Sequence, residues 1–140
     1  MRIYLASKFE RQAEMKRYAE KLRTMGHTVT SRWLEEETDE VGTKLGWQHD
    51  PVRLAKFAKY DLDDISSADM MLVFTHEGLS RGGMHVEFGY GLALGKRLLV
   101  VGPRPTLFHF LPRVLQFETW DAAAAFLGAF HGVPLEHSCP

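Results

Sequence analysis

Glu87 is the only charged side chain in an otherwise apolar, glycine-studded stretch, Gly82-Gly83-Met84-His85-Val86-Glu87-Phe88-Gly89-Tyr90-Gly91-Leu92-Ala93-Leu94-Gly95. Read as a helix, this segment has apolar or small residues on every side, which predicts burial. A carboxylate in such a place is several kcal/mol unfavourable unless it is paired or used, so catalysis is the reading to pursue. The plainer reading is an acidic residue placed favourably near a helix N-terminus. Asp61 is the second anomaly. With Leu54, Phe57, Ala58, Leu62 and Ile65 as the buried stripe of their helix, Asp61 falls inside the stripe, while Asp63 and Asp64 point to solvent. Two core-facing carboxylates near one sheet edge are suited to general acid or nucleophile chemistry. Alternatively, Asp61 caps a helix break or pairs with a buried base.

Other residues add weaker signals. Gly82-Gly83 at a helix start can present backbone N–H groups to an anion, and Ser80 and Arg81 just before them can add hydroxyl and guanidinium contacts. An ordinary flexible turn is the alternative. Tyr4 lies in a strand-like run, and a buried phenol needs a partner that a nearby carboxylate would supply. Gly89, Gly91 and Gly95 weaken a helix interior by about 1 kcal/mol each relative to Ala, which close packing would offset. Trp33 and Trp47 flank an acidic segment and either stack on a base or pack in the core or a lid. The run Glu35-Glu36-Glu37 reads as a solvated stretch.

These residues need a scaffold. Strand-like runs at Arg2 to Ala6, Thr28 to Trp33, Met70 to Phe74, Arg97 to Val101 and a short one at Gln116 to Thr119 alternate with helical patterns. The helices run from Arg11 to Met25, from Pro51 to about Ile65, from Met84 to Leu94 and from Asp121 to Phe130. Glu35 to Asp50 and His76 to Arg81 read as loops. This order predicts an α/β fold, a single-domain three-layer flavodoxin/Rossmann-like arrangement over residues 1–140 with a mainly parallel sheet of about five strands. Ligands of such sheets bind beyond the carboxyl ends of the strands, where the strand order reverses. The segments to watch are therefore Ala6-Ser7-Lys8 and Thr75 to Gly83.

Composition removes several function classes. A chain of 140 residues with 45% hydrophobic content supports one core, and a net charge of -1 gives no field for a nucleic acid polymer or an anionic membrane. No apolar run approaches the roughly 20 residues that span a bilayer. The strand-like start leaves no room for a signal peptide, and Cys139 is the single cysteine, so a cytoplasmic protein without disulfides is expected. His85-Val86-Glu87 resembles the H-x-E of zinc deaminases but no P-C-x-x-C follows. Gly89-x-Gly91-x-x-x-Gly95 is one residue off the dinucleotide fingerprint, and Walker A, G-x-S-x-G and H-E-x-x-H patterns are absent. Neither a metal nor a cofactor is expected.

Four segments together resemble the nucleoside 2-deoxyribosyltransferase family, whose relatives include deoxyribonucleoside 5'-monophosphate N-glycosidases. They are Ile3-Tyr4-Leu5-Ala6-Ser7, Gly26-His27-x-Val29, Asp61-Leu62-x-x-Ile65-x-x-Ala68-Asp69, and Ser80-Arg81-Gly82-Gly83-x-His85-Val86-Glu87-x-Gly89-x-Gly91-x-Ala93-x-Gly95-Lys96. The resemblance spans residues 1 to about 102, with Val101-Gly102-Pro103 and Phe117-x-x-Trp120 compatible further on. It implies Glu87 as the nucleophile that attacks the anomeric carbon, Asp61 as the group handling the proton of the base, and Tyr4 as the orienter of the glutamate.

One departure bears on the substrate. Transferases of the family carry an acidic residue before the glutamate to hold the sugar 5'-hydroxyl, whereas this chain has Ser80-Arg81-Gly82-Gly83. Serines at Ser80 and Ser7 resemble those of the monophosphate hydrolases, where they hold a 5'-phosphate. Met84 stands where many similar sequences have a basic residue. The resemblance also implies a homodimer or higher homo-oligomer, with Phe108-His109-Phe110-Leu111-Pro112 as the expected interface. The expected activity is cleavage of the N-glycosidic bond of a nucleoside or its 5'-monophosphate, with transfer to another base or to water. Two alternatives stand beside it: a non-catalytic nucleotide sensor on the same fold, and an NAD glycohydrolase.

Overall fold

β1 (Arg2–Ala6), β3 (Met70–Phe74) and β4 (Arg97–Val101) are almost continuous apolar runs, the pattern of strands covered on both faces. In the computed structural model, which describes residues 1–36, 50–78 and 82–129, they form the centre of a sheet completed by β2 (Thr28–Val29) and β5 (Val114–Phe117). The order is β2-β1-β3-β4-β5 and every pairing is parallel. Four helices accompany it among the described residues: α1 (Gln12–Thr24), α2 (Pro51–Ser67), α3 (Gly83–Ala93) and α4 (Trp120–Gly128). Tyr18 of α1 stacks on Trp120 of α4, with ring centroids 4.4 Å apart, and on Phe74, so these two helices share one face of the sheet. α2 and α3 pack against each other and β1 on the other face. The expected three-layer α/β arrangement is present. The chain leaves β1 for β2 and returns to β3 on the opposite side, so the strand order reverses between β1 and β3. A crevice beyond their carboxyl ends follows from that reversal.

β1, β3 and β4 have the boundaries read from the sequence, but β2 does not. It was expected to run from Thr28 to Trp33, and it ends at Val29, followed by a 3-10 turn over Arg32–Glu35. Side chains take over the strand's hydrogen bonds. Ser31 Oγ accepts the Leu5 N–H at 2.7 Å, and Trp33 Nε1 donates to the Leu5 carbonyl at 2.7 Å. With both polar groups of Leu5 satisfied, no further strand is needed there. Trp33 is thereby a core residue; Trp47 lies outside the described residues.

Two burial expectations are corrected. In α2, Leu54 and Ala58 are exposed and Phe57 and Leu62 only half-buried, while Ile65 and Asp64 are buried. A 17-residue helix is about 25 Å long and a five-residue strand about 17 Å, so only the C-terminal half of α2 lies over the sheet. α3 is not enclosed all round either. Met84, Phe88 and Gly91 form its buried face, and Val86 is 66% exposed.

Gly91 marks the closest approach of α3 to the sheet. A Cβ there would overlap Met71 Sδ of β3, whereas one at Gly89 would meet open space. Gly91 thus fits the packing reading, while Gly95 (φ 72°) follows the helix end and Gly89 has no packing reason. Gly91→Ala is expected to destabilise the fold by about 1–3 kcal/mol through overpacking. Gly89→Ala should be neutral or stabilising by up to about 1 kcal/mol. Thermal unfolding of the two variants checks the difference in sign.

Candidate active site

Side chains alternate across a strand, and Tyr4 takes the face of β1 that looks toward α2 and α3. Its register partner Met71 lies under Gly91 of α3. Tyr4 is 0% exposed, and its Oη donates to Glu87 Oε2 at 2.9 Å. Glu87 lies one turn into α3, whose N-cap is Gly82 at φ 89°, a left-handed conformation natural to glycine. Met84, Phe88 and Gly91 then fix which face of α3 meets the sheet. Glu87 flanks that face and is half-buried.

Asp61 on α2 is half-buried as well, and its charge reaches the same phenol. The Tyr4 pKa is pushed well above the ordinary tyrosine range, first by burial and then by the charge of Glu87. The charge of Asp61, the hydrogen bond to Glu87 and the charge of Asp64 act in the same direction. Tyr4 is thus a neutral donor that senses both carboxylates singled out in the sequence. Asp64, expected in solvent, is buried instead, because Arg32 Nε holds its Oδ1 at 2.8 Å.

Ser7 follows β1, and its Oγ is buried without a hydrogen-bond partner among the described residues. Gly82 and Gly83 open α3 as the sequence suggested. Ser80 and Arg81 lie outside the described residues. Sequence reasoning missed His76, two residues beyond β3, whose Nδ1 is buried without a hydrogen-bond partner among the described residues. It also missed Arg11. That guanidinium is bidentate to Glu14 at 2.8 Å on both arms and donates to the Thr75 carbonyl at 3.2 Å, tying α1 to the end of β3. The signal was available, since Arg11, Glu14 and Tyr18 are spaced to share a helix face. The Arg11 hydrogen bonds pull the Glu14 carboxyl down to about 2, and burial with the Glu14 bond lifts Tyr18 to about 12. Among the described residues no group of three or more His, Cys, Asp or Glu is placed to hold a metal ion. Within the same residues no helix is long and apolar enough to cross a membrane.

No protein-family model and no curated protein matches the sequence. Solved structures do match. The Clostridium botulinum CMP N-glycosidase BcmB shares 20% identity with a TM-score of 0.58, covering 92% of this chain and 99% of its own. The 2-deoxyribosyltransferase of Bacillus psychrosaccharolyticus shares 24% identity with a TM-score of 0.64, covering 91% of this chain and 96% of its own. The chain has the fold of these two enzymes over nearly its whole length.

The Tyr4 contact has a measurable consequence. Its folded pKa lies above the ordinary 10.0, so its stabilising contribution is complete below pH 10.0 and is lost as pH rises through the folded value. Tyr4→Phe should therefore flatten the alkaline loss of stability. Glu87→Gln should lower the Tyr4 pKa yet leave it above 10.0, because burial and Asp61 remain. Denaturant unfolding as a function of pH reads the first and NMR titration of 13C-labelled tyrosine the second; an unmoved Tyr4 titration in Glu87→Gln contradicts the contact.

Proposed function

We propose that the protein cleaves the N-glycosidic bond of a nucleoside or nucleoside 5'-monophosphate. The observation that carries this reading is the part-buried hydrogen bond from Tyr4 Oη to Glu87 Oε2, made at the strand-order reversal and within the field of Asp61. The printed activities of the two structural neighbours, a CMP N-glycosidase and a 2-deoxyribosyltransferase, support the same chemistry.

In the proposed reaction the Glu87 carboxylate attacks the anomeric carbon of the sugar as the bond to the base breaks. Asp61 supplies the proton that lets the base leave neutral. A glycosyl ester to Glu87 results, and a difficult displacement through an oxocarbenium-like transition state is divided into two easier ones. Tyr4 holds the attacking carboxylate in one orientation. Water or a second base, deprotonated by Asp61, then attacks the same carbon and frees Glu87. Exclusion of water from the glycosyl ester separates a transferase from a hydrolase. Ser7, with its buried unpartnered hydroxyl, and the Ser80-Arg81-Gly82-Gly83 segment favour a 5'-phosphate as the group bound beside the sugar. A sensor or a dinucleotide glycohydrolase would use the same crevice, and free base is the readout that distinguishes them.

Self-association belongs to the proposal. Phe108 (54% exposed) and Phe110 (59%) project from a 3-10 turn over Leu107–Phe110. The intervening His109 packs on Phe88 of α3. This apolar surface supports a homodimer or higher homo-oligomer.

Incubation with a panel of nucleosides and 5'-monophosphates, with and without an acceptor base, is expected to release free base. Glu87→Ala should reduce that release by at least about 10³-fold with the fold intact. Full activity in Glu87→Ala removes the mechanism, and nicotinamide released from NAD in place of nucleobase moves the assignment to the dinucleotide reaction. In sedimentation, Phe108→Glu combined with Phe110→Glu should convert the oligomer to monomers; a monomeric parent protein removes the oligomer.

A further inference from the structure

One arginine holds the C-terminal half of α2. Arg32 donates its backbone N–H to Asp64 Oδ2 at 2.9 Å and its Nε to Asp64 Oδ1 at 2.8 Å. Its guanidinium lies 4.1 Å from the centroid of the Tyr60 ring, and Nη2 reaches the Tyr60 carbonyl at 3.4 Å. Thr30 Oγ1 adds a hydrogen bond to the Asp64 carbonyl at 2.9 Å. Tyr60 and Asp64 bracket Asp61, the first adjacent in the chain and the second three residues on, where side chains share a helix face. The Arg32 segment is in turn fixed to β1 through Ser31 and Trp33, both bonded to Leu5, the residue after Tyr4. Gln12 Nε2 secures it from α1 by donating to the Trp33 carbonyl at 2.8 Å.

A contiguous set of contacts thus runs from Tyr4 through Leu5, Ser31 and Arg32 to the turn of α2 that carries Asp61. Stability alone gives this arrangement little reason, because an ion pair with its basic partner half exposed contributes at most about 1 kcal/mol. Directional bonds do what apolar packing cannot, which is to fix the rotation and height of one helical turn. We infer that Arg32 and Asp64 are positioning residues that set Asp61 against Tyr4 and Glu87. Both Asp64 oxygens are occupied by Arg32, so Asp64 takes no direct part in proton transfer. The inference rests on the assignment of Asp61 as the proton-handling group.

Arg32 is the residue to change first, since its side chain is half exposed and the backbone N–H at position 32 still binds Asp64 in the variant. In base-release assays Arg32→Ala should lower kcat by roughly 10- to 100-fold with KM little changed, the effect of misplacing a reacting group by about 1 Å. Asp64→Asn should do the same, and Arg32→Lys should recover part of the loss. Combined with Asp61→Asn, neither change should reduce activity further. Equal losses with and without the Asp61 carboxylate, or an unchanged kcat in Arg32→Ala, overturn the inference. If the parent protein releases no base from any compound, the proposed function fails separately. Crystal structures of the parent and Arg32→Ala then decide: Asp61 displaced from Tyr4 by about 1 Å supports the latch, and Asp61 in place overturns it.

Discussion

The hydrogen bond between Tyr4 and Glu87 joins residues 83 positions apart and fixes the relation between β1 and α3 on which the candidate site depends. Burial gives the bond its value. A phenol at 0% exposure cannot exchange its partner for water, and leaving it unmade would cost about 1–3 kcal/mol. The sheet topology makes the meeting possible. β1 and β3 are neighbours with a reversal between them, and α3, the element that follows β3 among the described residues, packs against β1. Gly91 lets the helix settle onto Met71, and Gly82 sets its starting direction.

What could be read in the sequence followed from burial on two faces. Met70 to Phe74 and Arg97 to Val101 were legible to the residue because strands covered on both sides tolerate few polar positions. That a buried Tyr4 needs a carboxylate partner was legible for the complementary reason, that a phenol in an apolar context must be satisfied, and the family resemblance named that partner as Glu87. β2 was not legible. Its backbone partners are replaced by the side chains of Ser31 and Trp33, and no hydrophobic period reports such a substitution.

α2 shows a different limit. Its apolar residues fit a helical stripe along the whole length, yet the sheet extends beneath only part of it. Periodicity shows which residues share a face and is silent on what lies opposite. The same limit misplaced Asp64, which has the sequence look of a solvated acid and is buried against Arg32. Recognising that pair from sequence would have required knowing that the chain after Val29 abandons the sheet and brings Arg32 across α2. In α3 the apolar outer residues gave the opposite error, suggesting enclosure where Val86 is exposed.

The assignment of roles to the two carboxylates can be argued from the tyrosine alone. With its pKa raised by burial and by the acids around it, Tyr4 remains protonated across the neutral range and acts only as a donor toward Glu87. A carboxyl that receives such a bond is suited to attack and poorly suited to give up a proton, since hydrogen bonds to the charged form favour that form. In the proposed reaction the proton for the departing base then comes from elsewhere. Asp61 lies near enough for its charge to be felt at Tyr4, yet on a different helix, which suits it to the role proposed for it beside that of Glu87. Division of labour between acids requires environments that differ. In the proposed mechanism that difference comes from the phenol pointed at Glu87 on α3, while on α2 Arg32 occupies both oxygens of Asp64.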